Sequence, residues 1–177
     1  GYSFGATTNF SLARYNTDGT LDATFGPGGS GKVLDPGVGA ARAVTLDGDG
    51  NIVVAGQNSL VRYLPDGARD LTFNSSGLVS SNVSQIQDIA IDSSNRILVA
   101  GYRYNGGSTY YDFAVARYNP NGSLDANFTS VDFGSGNDFA YSIAIDGLGR
   151  VVVAGYSQNP SDGQLTDFAI ARYDAAG

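Results

Sequence analysis

Arginine and aspartate recur eight residues apart in this chain, a spacing that suits ion pairing. A catalytic pair is rarely needed three times in one domain, whereas a buried arginine requires a hydrogen-bonded partner. We therefore predict that these pairs are structural and fasten a corner of each repeat, rather than act on a substrate. The pairs are Arg14 with Asp22, Arg62 with Asp70, and Arg117 with Asp125.

One polar turn resembles the start of a calcium-binding loop. Asp47, Asp49 and Asn51 place side-chain oxygens at alternate positions, and hard cations such as calcium prefer oxygen ligands. The glutamate that closes such loops is missing, and the corresponding turns have Ser94 or Leu148 at the middle ligand position. The turn is therefore either a plain hairpin, which we favour, or a calcium site confined to one repeat.

An aromatic segment is the candidate ligand-binding surface. Tyrosine rings can stack on sugars while asparagine hydrogen-bonds to their hydroxyls, and variable loops on a rigid scaffold often carry function. The alternative is that this segment only packs or meets solvent. The candidate residues are Tyr102, Tyr104, Asn105, Tyr110 and Tyr111.

The remaining chemistry open to this chain is narrow. It has no His, no Cys and no Glu, so its 17 acidic residues are all Asp. Thiolate and imidazole chemistry are excluded, and we predict no catalytic residue and no resident cofactor other than possible calcium. A glycoside hydrolase would need two carboxylates of unequal pKa beside a cleft, and most aspartates here lie in turns that recur.

Charge and hydropathy exclude two further classes of partner. The net charge of −7 repels a phosphate backbone, so we expect no nucleic-acid binding. No apolar run approaches the roughly 20 residues of a membrane span, so we expect no membrane insertion.

The elements that must position these residues are repeated strands. The pattern Phe-x-x-Ala-Arg-Tyr or a close variant occurs at residues 10–15, 59–63, 113–118 and 168–173, with arginines 48, 55 and 55 residues apart. A second apolar block ending in Ala-Gly recurs in step at 51–56, 96–101 and 150–155. Gly, Asp, Asn and Pro clusters divide each unit into four strands, with hairpins at 47–51, 92–96 and 146–150. In the third unit these strands are expected at 113–118, 130–133, 141–146 and 151–156.

The strands are apolar on both faces. Phe113 and Val115 alternate with Ala114 and Ala116, so each sheet must be covered on both sides. Stacked four-stranded sheets at roughly 40–50 residues per unit are typical of a propeller. We predict an all-β, propeller-like array of about three four-stranded antiparallel blades plus an extra strand, as part of a larger or oligomeric propeller.

The connections from strand four to the next strand one are long at 102–112 and 156–167. In a propeller they share a face with the loop between strands two and three, here 133–139, so that face is the candidate binding surface.

The dispersed blocks resemble the delta-60 repeat of large bacterial secreted and surface proteins. The resemblance rests on Phe-x-x-Ala-Arg-Tyr, then Leu-Asp-x-x-Phe, then a hairpin ending in Val-Val-Ala-Gly-Tyr, and it covers nearly the whole chain. It implies a propeller-like β repeat of largely uncharacterised function, without an assigned catalytic residue.

The repeats predict the domain organisation. Residues 1–9 end a preceding repeat, 10–58, 59–112 and 113–167 form repeats 1 to 3, and 168–177 open a fourth. Three units do not close a propeller of roughly four to eight blades, so we expect self-association or further blades from a longer parent chain.

The sequence thus favours a non-catalytic, extracellular bacterial scaffold for surface display, adhesion or assembly. Its partners would be a protein or glycan at a cell surface, and few Lys with no Cys favour an exported location. The alternatives are a carbohydrate-binding, lectin-like propeller and, less favoured, a propeller-fold glycoside hydrolase.

Overall fold

A computed structural model describes residues 9–104, 110–126, 128, 130–131, 133–134, 136–159 and 165–177. The described residues contain two short 3₁₀ turns, Pro27–Gly29 and Phe73–Ser75, and are otherwise strands and connections. None of the helices in this part of the chain has the length and apolar character needed to cross a bilayer. The strands are β1 (Asn9–Ala13), β2 (Lys32–Pro36), β3 (Ala43–Leu46), β4 (Ile52–Gly56), β5 (Ser59–Tyr63), β6 (Leu78–Ser80), β7 (Gln85–Ile91), β8 (Ile97–Tyr104), β9 (Tyr111–Tyr118), β10 (Leu124–Asp125), β11 (Asp138–Ile145), β12 (Val151–Asn159) and β13 (Leu165–Tyr173).

These strands form four antiparallel sheets. Their orders are β1-β2, β3-β4-β5-β6, β7-β8-β9-β10 and β11-β12-β13. The all-β, propeller-like array predicted from the repeat is therefore confirmed.

The sheets are offset from the sequence repeats by two strands. In the second sheet, β3 and β4 come from residues 10–58, whereas β5 and β6 come from residues 59–112. In this sheet only Gln57 and Asn58 separate β4 from β5, whereas residues 64–77 separate β5 from β6. A sheet therefore joins the end of one repeat to the start of the next.

Three apolar cores lie between successive sheets. In β9, Phe113 and Val115 pack toward the last sheet, while Ala114 and Ala116 pack toward the second, as the alternation predicts. All four side chains are at most 2% exposed, because neighbouring sheets cover both faces. The face that each strand residue presents thus decides which neighbouring repeat it contacts.

The predicted hairpins between strands three and four are present. Asp47 N–H donates to the carbonyl of Asn51 at 3.0 Å, and the same bond joins Asp92 to Arg96 and Asp146 to Arg150. The connections predicted at 102–112 and 156–167 are shorter than expected, because the paired strands continue beyond them. Tyr104 faces Tyr111 across β8 and β9, and Asn159 faces Leu165 across β12 and β13.

Candidate functional site

Each repeated arginine contacts the corner that follows its own strand. The Arg62 Nε donates to Asp70 Oδ2 at 2.7 Å, and the guanidinium lies 4.7 Å from the ring centroid of Phe73. Asp70 in turn accepts hydrogen bonds from the hydroxyl and backbone N–H of Thr72. A charged hydrogen bond and a cation–π contact thus connect the strand to the segment from Asp70 to Phe73.

The other two arginines make the same contacts. Arg14 donates to Asp22 at 2.7 Å and lies 4.6 Å from the Phe25 ring. Arg117 donates to Asp125 at 2.8 Å and lies 4.3 Å from the Phe128 ring. The structure thus places all three predicted pairs in ion-pair contact. Their structural role stays a prediction.

A second contact of each arginine reaches the following repeat. Arg62 Nη1 donates to the carbonyl oxygen of Pro120 at 2.6 Å, and Arg117 Nη1 donates to that of Ala175 at 2.9 Å. Arg14 likewise donates to the carbonyl of Pro65. These carbonyls lie in the turn after strand one of the next repeat. Each arginine therefore joins two repeats, which the eight-residue spacing alone does not indicate.

Hydrogen bonding shifts the pKa values of two corner carboxylates. The hydroxyl and amide of Thr24, helped by Arg14, lower the pKa of Asp22. Burial acts to raise the pKa of Asp70, but hydrogen bonds from Thr72 and Arg62 outweigh it, and the pKa lies below its ordinary value. Both groups are therefore held in the charged form that the arginine requires.

The candidate calcium ligand Asp47 is already surrounded by donors. Its Oδ1 accepts the backbone N–H of Asp49 at 3.0 Å and that of Asn51 at 2.9 Å, while the Asn51 side chain donates to Oδ2. The Arg62 guanidinium lies 3.8 Å from Oδ2, which disfavours a second cation. Within the described ranges no three His, Cys, Asp or Glu residues are grouped to hold a metal. Calcium binding stays a prediction that the geometry does not favour.

Most of the candidate binding tyrosines lie on strands rather than in a loop. Tyr102 and Tyr104 are in β8, and Tyr111 begins β9. The ladder extends this far because Tyr104 pairs with Tyr111 and Arg103 lies 3.6 Å from Asp112. Tyr110 precedes β9 and is 38% exposed, whereas Asn105 lies outside the described residues.

These tyrosines belong to a larger group of rings, here called the aromatic ridge. The Tyr111 ring centroid lies 5.2 Å from Tyr102, 5.8 Å from Tyr104 and 5.6 Å from Phe139. Tyr156 continues the ridge, 5.0 Å from Phe139 and 5.7 Å from Tyr141. The ridge therefore spans two sheets and consists of Tyr102, Tyr104, Tyr111, Phe139, Tyr141 and Tyr156.

The ridge combines packed and exposed rings. Tyr104 is 52% exposed and Tyr141 47% exposed, so both residues are partly open to solvent. The backbone N–H of Tyr111 donates to Asn137 Oδ1 at 3.0 Å, which ties the ridge to the connection before β11. A rigid, partly exposed row of rings can stack on planar or sugar ligands.

An open groove of about 520 Å³ borders the ridge at Tyr141 and Tyr156. Thr166 and Asp167 supply polar groups on its other side, and Phe168 forms an apolar wall. Among the described residues that line it, Asp167 alone is acidic. The described lining thus supplies one carboxylate, whereas glycoside hydrolysis uses two facing ones.

Sequence reasoning missed Tyr141 and Tyr156, whereas Phe139 ends the 133–139 loop that was assigned to the candidate surface. A comparison of the repeats carries a signal for one of them, because Tyr141 stands where the earlier repeats have Arg42 and Gln87. An aromatic residue at a position that is polar in the other repeats marks a feature of one repeat rather than of the architecture.

Comparison with known proteins supports the repeat family. Residues 1–25, 48–73 and 93–128 match the family described as "Domain of unknown function (DUF5122) beta-propeller". Each matched segment ends at a phenylalanine that stacks on a corner arginine, namely Phe25, Phe73 or Phe128. The match supports a propeller-repeat family in general, and the narrower delta-60 assignment stays a prediction.

Two solved structures are similar to parts of this chain. A protein of unknown function from Bacteroides caccae is 14% identical, with a TM-score of 0.33, and the match covers 76% of this chain and 61% of that protein. The extracellular domain of a one-component system from B. thetaiotaomicron is 14% identical, with a TM-score of 0.28, over 72% of this chain and 24% of that one. This chain therefore spans less than two-thirds of either structure. No curated protein matches it.

Proposed function

We propose that this chain is a non-catalytic, extracellular repeat scaffold of a bacterial surface protein, acting in display, adhesion or assembly through the aromatic ridge. The observation that carries the proposal is the contrast between a side-chain contact that every complete repeat makes and one that a single part of the chain makes. The arginine corner is built three times with the same geometry, whereas the ridge is built once. A feature that recurs in every repeat serves the architecture, and one that interrupts the pattern is available for recognition.

Adhesion of beads coated with the purified chain tests this proposal. Beads carrying the wild-type chain should be retained on surfaces coated with bacterial envelope material, since many weak contacts act together. The double variant Tyr104→Ser, Tyr141→Ser should lose most of this retention, because both rings are half exposed and their removal spares the cores. Tyr15→Ser is the matched control, because Tyr15 is 62% exposed and lies far along the chain from the ridge.

The treatment of the coated surface separates the classes of partner. Loss of retention after protease indicates a protein partner, and loss after periodate oxidation indicates a glycan. Equal retention of the wild-type chain and the ridge variant would refute a binding role for the ridge. Recovery of the captured ligand with unchanged mass supports the non-catalytic role, and cleaved ligand would contradict it.

A carbohydrate-binding, lectin-like function is the second candidate. It is favoured by the partly exposed rings of Tyr104 and Tyr141, and by the hydrogen-bonding groups of Thr166 and Asp167, which line a groove together with Tyr141. Saturable binding to defined glycans, lost in Tyr110→Ala, Tyr111→Ala and in the Tyr104, Tyr141 variant, would establish it. The absence of binding across a broad glycan array would exclude it.

A further inference from the structure

Tyrosine is the side chain of this chain that gives up one electron most readily. The chain has no Cys, Met, Trp or His, the other residue types that oxidants attack, and it has 11 Tyr. Five of these tyrosines lie in the aromatic ridge, where each of their rings contacts at least one other ring. A one-electron oxidant acting on this chain is therefore directed to phenols, and several of these phenols lie in contact with each other.

Tyr141 and Tyr156 are phenols of the ridge whose rings are stacked. Their centroids lie 5.7 Å apart and their planes are inclined by 27°. The rings of Tyr102 and Tyr104 instead meet Tyr111 edge-on, at 76° and 65°. Stacked phenoxyl radicals overlap through their π orbitals, and a small rotation of the side chains brings together the ring carbons beside the hydroxyls. Among these pairs, Tyr141 and Tyr156 are therefore the best placed to form a carbon–carbon bond.

The ladder between β11 and β12 positions the two rings. Phe139 faces Tyr156 directly, and Tyr141 lies two residues further along β11, on the same side of the sheet. The register shifts between Ala140 and Ser142, and an irregularity of this kind re-aims a side chain. The Tyr141 ring stacks on both Phe139 and Tyr156. Because β11 and β12 form one hairpin, this contact lies within a single sheet and needs no other sheet to hold it.

The ridge also connects this pair to a phenol of the neighbouring sheet that meets solvent. Tyr104 is 52% exposed, and its ring contacts that of Tyr111, which in turn contacts Tyr102. Burial raises the pKa of Tyr156, and the phenols of Tyr141 and Tyr102 add to this shift, so both phenols lie near that of Tyr156. A radical formed at an exposed ring can therefore move from ring to ring until it reaches the stacked pair.

We propose that Tyr141 and Tyr156 form an oxidative modification site, at which a haem peroxidase with hydrogen peroxide couples them into a dityrosine within one chain. Each phenol loses one electron and one proton to give a phenoxyl radical. The two radicals form a bond between the carbons beside their hydroxyls, and the hydrogens on those carbons move to the oxygens and restore both phenols. The pair loses two hydrogen atoms in total, and one hydrogen peroxide is reduced to two water molecules.

Tryptic digestion can report this bond, because Arg150 lies between the two tyrosines. Complete cleavage places Tyr141 in the peptide of residues 118–150 and Tyr156 in that of residues 151–172. The chain has no cysteine, so a disulfide cannot join these peptides. Their recovery as one species therefore identifies a covalent bond between tyrosines.

The test oxidises the purified 177-residue chain at low concentration with a haem peroxidase and limiting hydrogen peroxide. We expect a monomer whose mass falls by two hydrogen atoms, with the fluorescence of dityrosine and with peptides 118–150 and 151–172 joined. Oxidation in concentrated urea should give much less of the joined peptides, because the unfolded chain does not stack the two rings. No ligand is present, so the result does not depend on the adhesion proposed above.

Phenylalanine variants keep the rings and remove the hydroxyls. Tyr141→Phe and Tyr156→Phe should each lose the joined peptides, whereas Tyr15→Phe should keep them, because Tyr15 is 62% exposed but lies outside the ridge. Joined peptides that persist in Tyr141→Phe would assign the bond to Tyr118, the other tyrosine of its peptide, and overturn the proposal. A wild-type chain that forms no joined peptides, that crosslinks only between molecules, or that gives equal yields folded and unfolded would overturn it as well.

Discussion

Arg62 donates a hydrogen bond of 2.6 Å to the carbonyl oxygen of Pro120, which lies 58 residues further along the chain. The same guanidinium binds Asp70 in its own repeat and stacks on Phe73. One side chain thus joins a strand, the corner that follows it and the turn of the next repeat. Arg14 and Arg117 make the corresponding contacts with the repeats that follow them.

The first prediction concerns the shape of the Arg62 side chain. Arg62→Lys keeps the positive charge but cannot reach Asp70 and Pro120 together, since a lysine ammonium lacks the planar fork of donors. We expect the free energy of unfolding to fall by about 2 kcal/mol, the value of a hydrogen bond to a charged group. Urea denaturation followed by circular dichroism measures this change.

Arg103→Lys is the matched control, because it makes the same change of residue type at a more exposed ion pair. Arg103 faces Asp112 at 3.6 Å and its side chain is 43% exposed, compared with 12% for Arg62. An exposed pair contributes less than about 1 kcal/mol, so this change should be nearly neutral. Equal losses in the two variants would show that the Arg62 contacts add nothing beyond a surface charge pair.

Part of this corner could be predicted from the sequence and part could not. The pairing of Arg62 with Asp70 follows from residue type and a spacing that recurs in every repeat. The bond to Pro120 does not, because every residue has a backbone carbonyl and no residue type marks the one that accepts. The offset between repeats and sheets was missed for a related reason, since periodicity defines the length of a unit but not where its sheet begins.

The binding surface was predicted in part, from the connection at 102–112 and the loop at 133–139. Tyr102 and Tyr104 stand out in sequence because the corresponding connection in repeat 1 is short and contains no ring. The contact of Tyr102 with Phe139 depends on how the last two sheets pack, which local patterns do not encode.

The second prediction concerns the turn glycine that packs against the preceding repeat. Gly122 has φ +88°, and a Cβ there would lie 3.1 Å from the Phe73 ring and from Val79. Gly122→Ala therefore combines backbone strain with a clash across the repeat contact, and we expect a loss of about 2 kcal/mol. Thermal and urea denaturation measure it.

Gly19→Ala is its matched control. Gly19 occupies the same turn position with φ +84°, and no atom lies within 4 Å of the Cβ that alanine would add. The free energy of unfolding of this variant should fall only by the backbone strain, about 1 kcal/mol. If both variants lose the same free energy, the contact between Gly122 and Phe73 is not tight enough to matter.

The third prediction is an acid limit on stability. In the folded chain the pKa of Asp70 lies below its ordinary value of 3.8, so the charged form of Asp70 favours folding. This contribution is present above the unfolded pKa of about 3.9 and is lost as pH falls through the lower folded value. The free energy of unfolding of Asp70→Asn should accordingly change less than that of the wild type between about pH 5 and pH 3. A parallel fall in the two proteins would assign the acid sensitivity to other carboxylates.

The last prediction is an alkaline limit set by buried tyrosine. Tyr63 is 1% exposed and donates to Asp35 Oδ2 at 2.7 Å; burial, aided by that carboxylate, raises its pKa above 10. Burial also raises the pKa of Tyr173 to about 12. For a raised pKa the contribution to stability is complete below the unfolded value of about 10 and is lost as pH rises beyond it.

Tyr63→Phe should therefore lose about 1 kcal/mol at neutral pH, the value of one hydrogen bond, and show a weaker decline in stability above about pH 10. Tyr15→Phe changes the same position of the repeat at a residue that is 62% exposed, and should leave both quantities unchanged. Tyrosinate absorbance checks the assignment directly, because Tyr63 should ionise only as the chain unfolds. Ionisation of all tyrosines near pH 10 in a chain that stays folded would contradict the burial of Tyr63, and with it the contact between the first two sheets.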